Sequence, residues 1–443
     1  MKRPSCCSTF CFAMSPRSSC ATRRASRIAA PGATGGLSAR AHESACRRLL
    51  HVRAAPTVHF PRRLIRWYER HRRDLPWRRA GDAYTTWLAE TMLQQTQVAT
   101  VLRYYGPFLA RFPTVEALAS ASLDDVLAHW AGLGYYARAR NLHEAARRIV
   151  SDHRGRIPKT VKELSQLPGV GRYTAGAVAS IAFGQPAPVV DGNVARVLAR
   201  LFALRCDIKS AAGKAALWEQ ASRLLPRRGC GQFNQALMEL GATVCLPSVP
   251  ACDRCPVADC CRALADGLVN ELPVRGAARP PRTVRMVALA LSGGDRVLIR
   301  RRPAEGLWGG LWELPSAEIA SRTDGRAAVA ELLPASLRPF LRRFSRIGEL
   351  THRLTHRTVR FELYAGALNG GPPKGRLPAD HRWLKLSRCH FPGPVRESGA
   401  TGSLPARAPA DQPPVAPTTR SRNGLLGLSS VQRKLLALAV SAC

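Results

Sequence analysis

Acidic side chains are scarce in this chain: 30 Asp and Glu stand against 67 Lys and Arg, a formal charge of +37 over 443 residues. No globular fold requires such an imbalance, and so basic a chain attracts polyanions, which makes nucleic acid the first partner to consider. Long uncharged apolar runs are also missing. The best membrane candidate, Thr174 to Val190, stops at Asp191 and contains Gly and Pro, so it reads as a buried segment rather than a bilayer helix. No apolar signal-peptide core is present, which argues against secretion. The chain is too long for one small module and, at 46% hydrophobic residues, too apolar to be disordered throughout. Two or three domains are expected.

The first 60 residues carry a net +9 and residues 392–443 a net +4, which leaves +24 on 61–391. The folded part is therefore basic in its own right. Residues 1–59 are rich in Arg, Ser, Ala and Cys without period, and 392–443 are rich in Pro and Ser, so both are expected to be tails that bury little surface. The N-terminal stretch has the acid-poor composition of an organelle transit peptide or of a start codon placed too far upstream. The 14 cysteines suit reduced thiols or a metal site rather than disulfides.

Between the tails, residues 60–262 alternate helix-like segments with Gly/Pro breaks, among them Trp87 to Phe112 read as one helix, and predict an all-helical domain. Residues 263–282, with Pro273, Pro280 and Pro281, read as a linker. Strand-like Val284 to Leu291, Val297 to Arg300 and Thr358 to Ala365, with a helix at Arg326 to Leu333, predict a smaller α+β domain over 283–391.

Cys245, Cys252, Cys255 and Cys261 form C-x6-C-x2-C-x5-C within the loop 245–261. Zinc sites usually pair two C-x2-C knuckles, and one is present, so a single [4Fe-4S] cluster fits better; Cys260 beside Cys261 leaves the register open. Leu167-Pro168-Gly169-Val170-Gly171 is either a helix-hairpin-helix, whose backbone NH groups approach a phosphate, or an ordinary turn. Asp191 opens a basic helix and is either its N-cap or an active-site carboxylate. Glu90 lies in an apolar helix. It is either a salt-bridged core residue or a carboxyl whose pKa is raised enough to act as an acid.

Six ordered segments carry a family resemblance: Leu75-Pro76-Trp77-Arg78, Glu90 to Gln97, Gly132 to Asn141, the hairpin, Asp191-Gly192-Asn193-Val194 and the cysteine loop. Over about residues 60–390 the chain resembles the adenine DNA glycosylase family of the helix-hairpin-helix base-excision repair superfamily. The implied architecture is multidomain: an all-α glycosylase domain with a [4Fe-4S] loop, then an α+β Nudix-like domain. Endonuclease III, the nearest rival, carries a catalytic Lys just after the hairpin where this chain has Tyr173, and it lacks the C-terminal domain. The resemblance thus implies a monofunctional enzyme that removes adenine opposite 8-oxoguanine or guanine from double-stranded DNA. It implies Glu90 as proton donor, Asp191 as the carboxylate that stabilises the cationic sugar, Tyr173 as a support of the same charge and Asn193 as the group that orients water or sugar. Trp77 and Arg78 would line the adenine pocket, while Gln95, Leu133 and Tyr135 match wedge and sensor positions with Thr96 beside them; for Leu133 core packing is the alternative. Arg138, Arg140 and the NH groups around Gly169 and Gly171 would hold phosphates.

In the second domain Gly306 to Pro315 resembles a Nudix segment, but the following helix supplies Glu331 alone, too few carboxylates for Mg²⁺ chemistry. A binding module is expected, with Leu354-Thr355-His356 at the position of the family's 8-oxoguanine recognition loop. After His390 no further family helix is recognisable. The expected state is a monomer, off the membrane, in the cytoplasm with the nucleoid unless the N-terminal tail targets an organelle.

Overall fold

The computed structural model describes residues 59–276, 280–354, 356–368, 377–385 and 427–441. The expected N-terminal tail, up to residue 58, lies outside them. The helical domain runs α1 Phe60–His71, α2 Trp77–Ala80, α3 Ala83–Leu93, α4 Val98–Arg111, α5 Val115–Ser120, α6 Leu123–Trp130, α7 Ala137–His153, α8 Val161–Leu164, α9 Arg172–Phe183, α10 Gly192–Leu201, α11 Ala211–Leu224, α12 Cys230–Thr243 and α13 Arg262–Ala265. Every residue of α3 from Tyr84 to Met92 is buried, and the helix is started by Asp82, whose side chain accepts from the Thr85 amide at 2.9 Å. A helix apolar all round must lie inside, and α3 runs against α9 in the middle of the domain. Helices α10 and α12 cross closely at Gly241, where a Cβ would stand 2.7 Å from the Cβ of Asn193.

Two expectations are corrected here. Trp87 to Phe112 is not one helix, because the chain breaks between Leu93 and Val98. The carbonyls of Thr91, Met92 and Gln94 accept from the Arg138 guanidinium instead of continuing the ladder, and Gln95 turns to φ +55°. The linker is also partly structured. Ala263, Leu268 and Leu272 pack with Ala203 in a small core of their own, so residues up to 272 belong to the helical domain.

The second domain is built on a seven-stranded sheet in the order β3-β2-β1-β6-β5, with β4 on β1 and β7 on β2. The strands are β1 Arg282–Gly293, β2 Arg296–Arg301, β3 Trp312–Glu313, β4 Ser316–Ile319, β5 Leu341–Arg353, β6 Arg357–Leu368 and β7 His381–Lys385. β1 and β6 pair in parallel from Arg282 opposite Arg357 to Ser292 opposite Ala367, while β5 and β6 form an antiparallel hairpin. Alternate residues of β1 face two cores. Val287, Leu289 and Leu291 pack with Val329 of α14 Gly325–Glu331, whereas Met286, Ala288 and Ala290 join the main core.

That main core contains a segment expected to be tail. Helix α15, Ser430–Ser441, seals the second face of the sheet with Val431, Leu435 and Leu436, all fully buried, and Gln432 accepts from the Leu314 amide at 3.0 Å. The apolar period of 431–439 outweighs the Pro-rich composition before it. The same core runs on into the helical domain through Leu127 and Trp130 of α6, which share it with Trp308, Leu311 and Leu428. Arg301 pairs with Asp124 at 2.8 Å across this seam. No helix among the described residues is long and apolar enough to cross a membrane.

Candidate active site

A pocket of about 800 Å³ opens between α3, the hairpin before α9, the start of α10 and one face of α12. Trp77, Arg78, Glu90, Gln95, Thr96, Gly169, Gly171, Tyr173, Asp191 and Asn193 all line it. Residues spread over more than a hundred positions therefore converge, because α3 and α9 lie side by side and α10 begins at the same end.

Glu90 is 6% exposed and accepts a hydrogen bond from the Tyr173 hydroxyl on Oε2 at 2.6 Å, with Met238 Sδ 3.3 Å from the same hydroxyl. Its hydrogen-bond partner is a phenol, not a cation. Burial pushes the carboxyl up to about 7; the Tyr173 bond and the charge of Arg78 pull it down, and Asp191 adds to the rise. The Tyr173 hydroxyl is raised well above its ordinary range by burial and by the two neighbouring carboxyl groups.

Asp191 is the N-cap of α10 and also faces the pocket. It caps α10, accepting from the Val194 amide at 2.6 Å, and it lines the pocket with Asn193 Nδ2 at 3.4 Å from its other oxygen. Burial raises its pKa, against the Val194 and Asn193 amides and Arg196. Gly169 takes φ +74°, and a Cβ there would lie 2.6 Å from the Cβ of Asn141, so the hairpin seats on α7 only with glycine at this position.

The pocket floor holds residues that the motif reading missed. Glu239 is fully buried and accepts from Arg73 N, Nε and Nη2 at 2.9, 2.8 and 2.8 Å, and from Arg78 Nη2 at 2.7 Å. Burial alone would raise this carboxyl, but the bonds from Arg73 and Arg78 outweigh it and hold it at about 2. Gln235, one turn earlier on α12, lines the same wall and accepts from the Tyr68 hydroxyl at 3.0 Å. The available signal was an acid at i+4 from a glutamine within the apolar run 233–241.

Other expected residues fall elsewhere. Leu133 is 5% exposed and packs in the core, because the turn between Gly132 and Gly134 folds its side chain inward, so it does not form a surface wedge. Gln95 and Tyr135 are exposed. Arg138 is buried among carbonyls and Arg140 donates to the Gly309 carbonyl, so their guanidinium groups are engaged within the protein rather than presented to phosphate. His356 is exposed at the tip of the β5–β6 hairpin and does not line the pocket; Thr355 lies outside the described residues.

Cys245, Cys252, Cys255 and Cys261 surround a cavity of about 30 Å³ beside Arg200, whose Nη1 lies 3.4 Å from Cys245 Sγ. Cys260 does not line it. Burial pushes the Cys255 thiol up to about 11 and also raises Cys252 and Cys261, with the neighbouring sulfurs adding to each. Among the described residues no group of His, Cys, Asp or Glu is set closely enough for a single metal ion.

The chain matches the HhH-GPD superfamily of base excision DNA repair proteins over residues 88–222 and the NUDIX domain over 286–398. It is thus a two-domain glycosylase of the helix-hairpin-helix class. It is 38% identical over 427 residues to an adenine DNA glycosylase of Homo sapiens, spanning 81% of this chain and 77% of the relative, and 39% identical over 384 residues to that of Rattus norvegicus, spanning 74% of each. A solved thermostable thymine-DNA glycosylase aligns at a TM-score of 0.42 and 31% identity, over 47% of this chain and 95% of that one. The chain belongs to the adenine DNA glycosylases, enzymes of base excision repair.

Proposed function

We propose that this enzyme hydrolyses the N-glycosidic bond of adenine mispaired with 8-oxoguanine or guanine in duplex DNA, without cutting the strand. The observation that carries the proposal is Glu90: a buried carboxyl held near pKa 7 by burial, at the wall of a pocket large enough for a base. Adenine leaves poorly as an anion, so the bond breaks when the base is protonated while the sugar becomes oxocarbenium-like. Glu90 gives its proton to the extruded adenine. Asp191 sits close enough to raise the Glu90 pKa and is the carboxylate that stabilises the sugar cation. Tyr173 bridges to Glu90 by its hydroxyl, and Asn193 orients Asp191. Tyr173 follows the hairpin where a bifunctional relative has an amine, so no Schiff base to the sugar forms.

The four cysteine sulfurs fit a [4Fe-4S] cluster. They surround one cavity but do not converge as a single ion needs, and the Cys252, Cys255 and Cys261 thiols, which burial raises, are held as thiolates only around a cationic centre. Cys245, Cys252, Cys255 and Cys261 would hold it, and the bound cluster would cross-link loop 245–261 and fix Arg254 and Arg262 for phosphates. The second domain reads the opposite base through the exposed hairpin tip at His356; α14 carries Glu331 alone, too little for metal-dependent hydrolysis.

The test is a duplex with adenine opposite 8-oxoguanine, incubated with the enzyme and then heated in alkali. Cleavage at the adenine is expected after alkali and not before it. An intact adenine strand overturns the proposal, and cleavage without alkali overturns its monofunctional part.

A further inference from the structure

Two stretches at the edge of the helical domain carry exposed side chains on unusual backbone. Gln95, between α3 and α4, sits at φ +55°, and Tyr135, just before α7, at φ +48°. Residues other than glycine hold that region only where neighbours impose it. One guanidinium joins the two. Arg138, 8% exposed, donates from Nη1 to the carbonyls of Thr91, Met92 and Gln94 at 3.0, 2.8 and 2.5 Å. From Nη2 it reaches Thr96 Oγ1 at 3.0 Å and the carbonyls of Leu133 and Gly134 at 3.3 and 3.2 Å. The first four acceptors belong to the open end of α3 and the Gln95 loop, the last two to the Tyr135 turn. Its guanidinium carbon lies 5.4 Å from the ring centres of both Trp130 and Tyr135.

A buried charge without a carboxylate is stable only if its surroundings are negative, and the unpaired carbonyls at a helix C-terminus supply that. Burial lowers the Arg138 pKa to about 10, which leaves the group charged at neutral pH. Its planar fork meets acceptors on two sides, which a lysine ammonium cannot do.

We infer that Arg138 is a positioning residue for base extrusion: it ties the Gln95 loop to the Tyr135 turn, so that both side chains are held ready to occupy the stack that the extruded adenine leaves. The inference rests on the glycosylase function proposed above. Arg138 does not line the pocket that holds Glu90. It therefore acts on extrusion and not on the proton transfer that follows.

The experiment is single-turnover stopped flow on a duplex with 2-aminopurine beside the target adenine, opposite 8-oxoguanine. Arg138→Met should slow both the fluorescence rise and adenine release about tenfold, with the pH midpoint of release unchanged, and Arg138→Lys should recover part of the loss. Thr96→Ala removes a single acceptor and serves if Arg138→Met does not fold; it should slow the fluorescence rise about fivefold. A rise at the wild-type rate in folded variants, whatever happens to release, overturns the inference, as does a displaced pH midpoint. If the wild-type chain itself releases no adenine, it is the glycosylase proposal that fails.

Discussion

Replacing Glu90 by Gln should make the protein more stable as the pH rises, even as it abolishes turnover. The carboxyl ionises at about 7 in the folded chain against an ordinary 4.5. Between those values the folded state binds more protons than the unfolded one, so wild-type stability falls as pH rises through that window. From pH 5 to pH 8 the linkage amounts to about 2.5 kcal/mol, which for a domain of this size is about 5–10 °C in melting temperature. Gln keeps the shape and still accepts from the Tyr173 hydroxyl, but it has no proton to lose. Thermal melts of both proteins across pH 5 to 8 measure the difference: the two curves should converge near pH 5, with the variant gaining on wild type by pH 8. Parallel curves would refute the assignment of a raised pKa to Glu90, and with it the proton-donor role.

Under single turnover, adenine release should be roughly level below pH 7 and fall about tenfold per pH unit above it, because the protonated acid is then the minor species; a flat profile to pH 9 would exclude Glu90 as the donor. Cys261→Ser should lower bound iron and the visible absorbance of the purified protein, whereas Cys260→Ser leaves both unchanged, since Cys260 does not line the cavity. Equal iron in the two variants would break the ligand assignment. Leu435→Ala should cost about 2–5 kcal/mol by leaving a cavity between α15 and the sheet, read as a lower denaturant midpoint, and a change within error would show that α15 is not docked.

Much of the helical domain was legible because its apolar periods are local: α6 was read at its observed limits, Leu123–Trp130. The pocket residues were legible through motifs, since Glu90, Tyr173 and Asp191 stand in short recognisable segments that the fold then gathers. What escaped depends on distant partners. The break after Leu93 is made by Arg138, more than forty positions along the chain, and no local propensity marks it. β5 was hidden because arginines interrupt its alternation on the exposed side. The motif left Leu133 between a wedge position and core packing, and the turn around it decides for the core. Glu239 carries no motif. Its importance appears only when Arg73 and Arg78 are seen converging on it.

The seam at Leu127 means that neither half of the molecule ends in a finished surface. Gly427 lets backbone come down onto that leucine: a Cβ there would stand 3.2 Å from the Leu127 Cβ, so a side chain added at this position would press on the seam. Expressed by itself, the catalytic half would carry a greasy scar where Trp308 and Leu311 had rested and would tend to clump. A substitution at residue 127 would accordingly be felt on both sides, in the glycosylase domain and in the Nudix-like one.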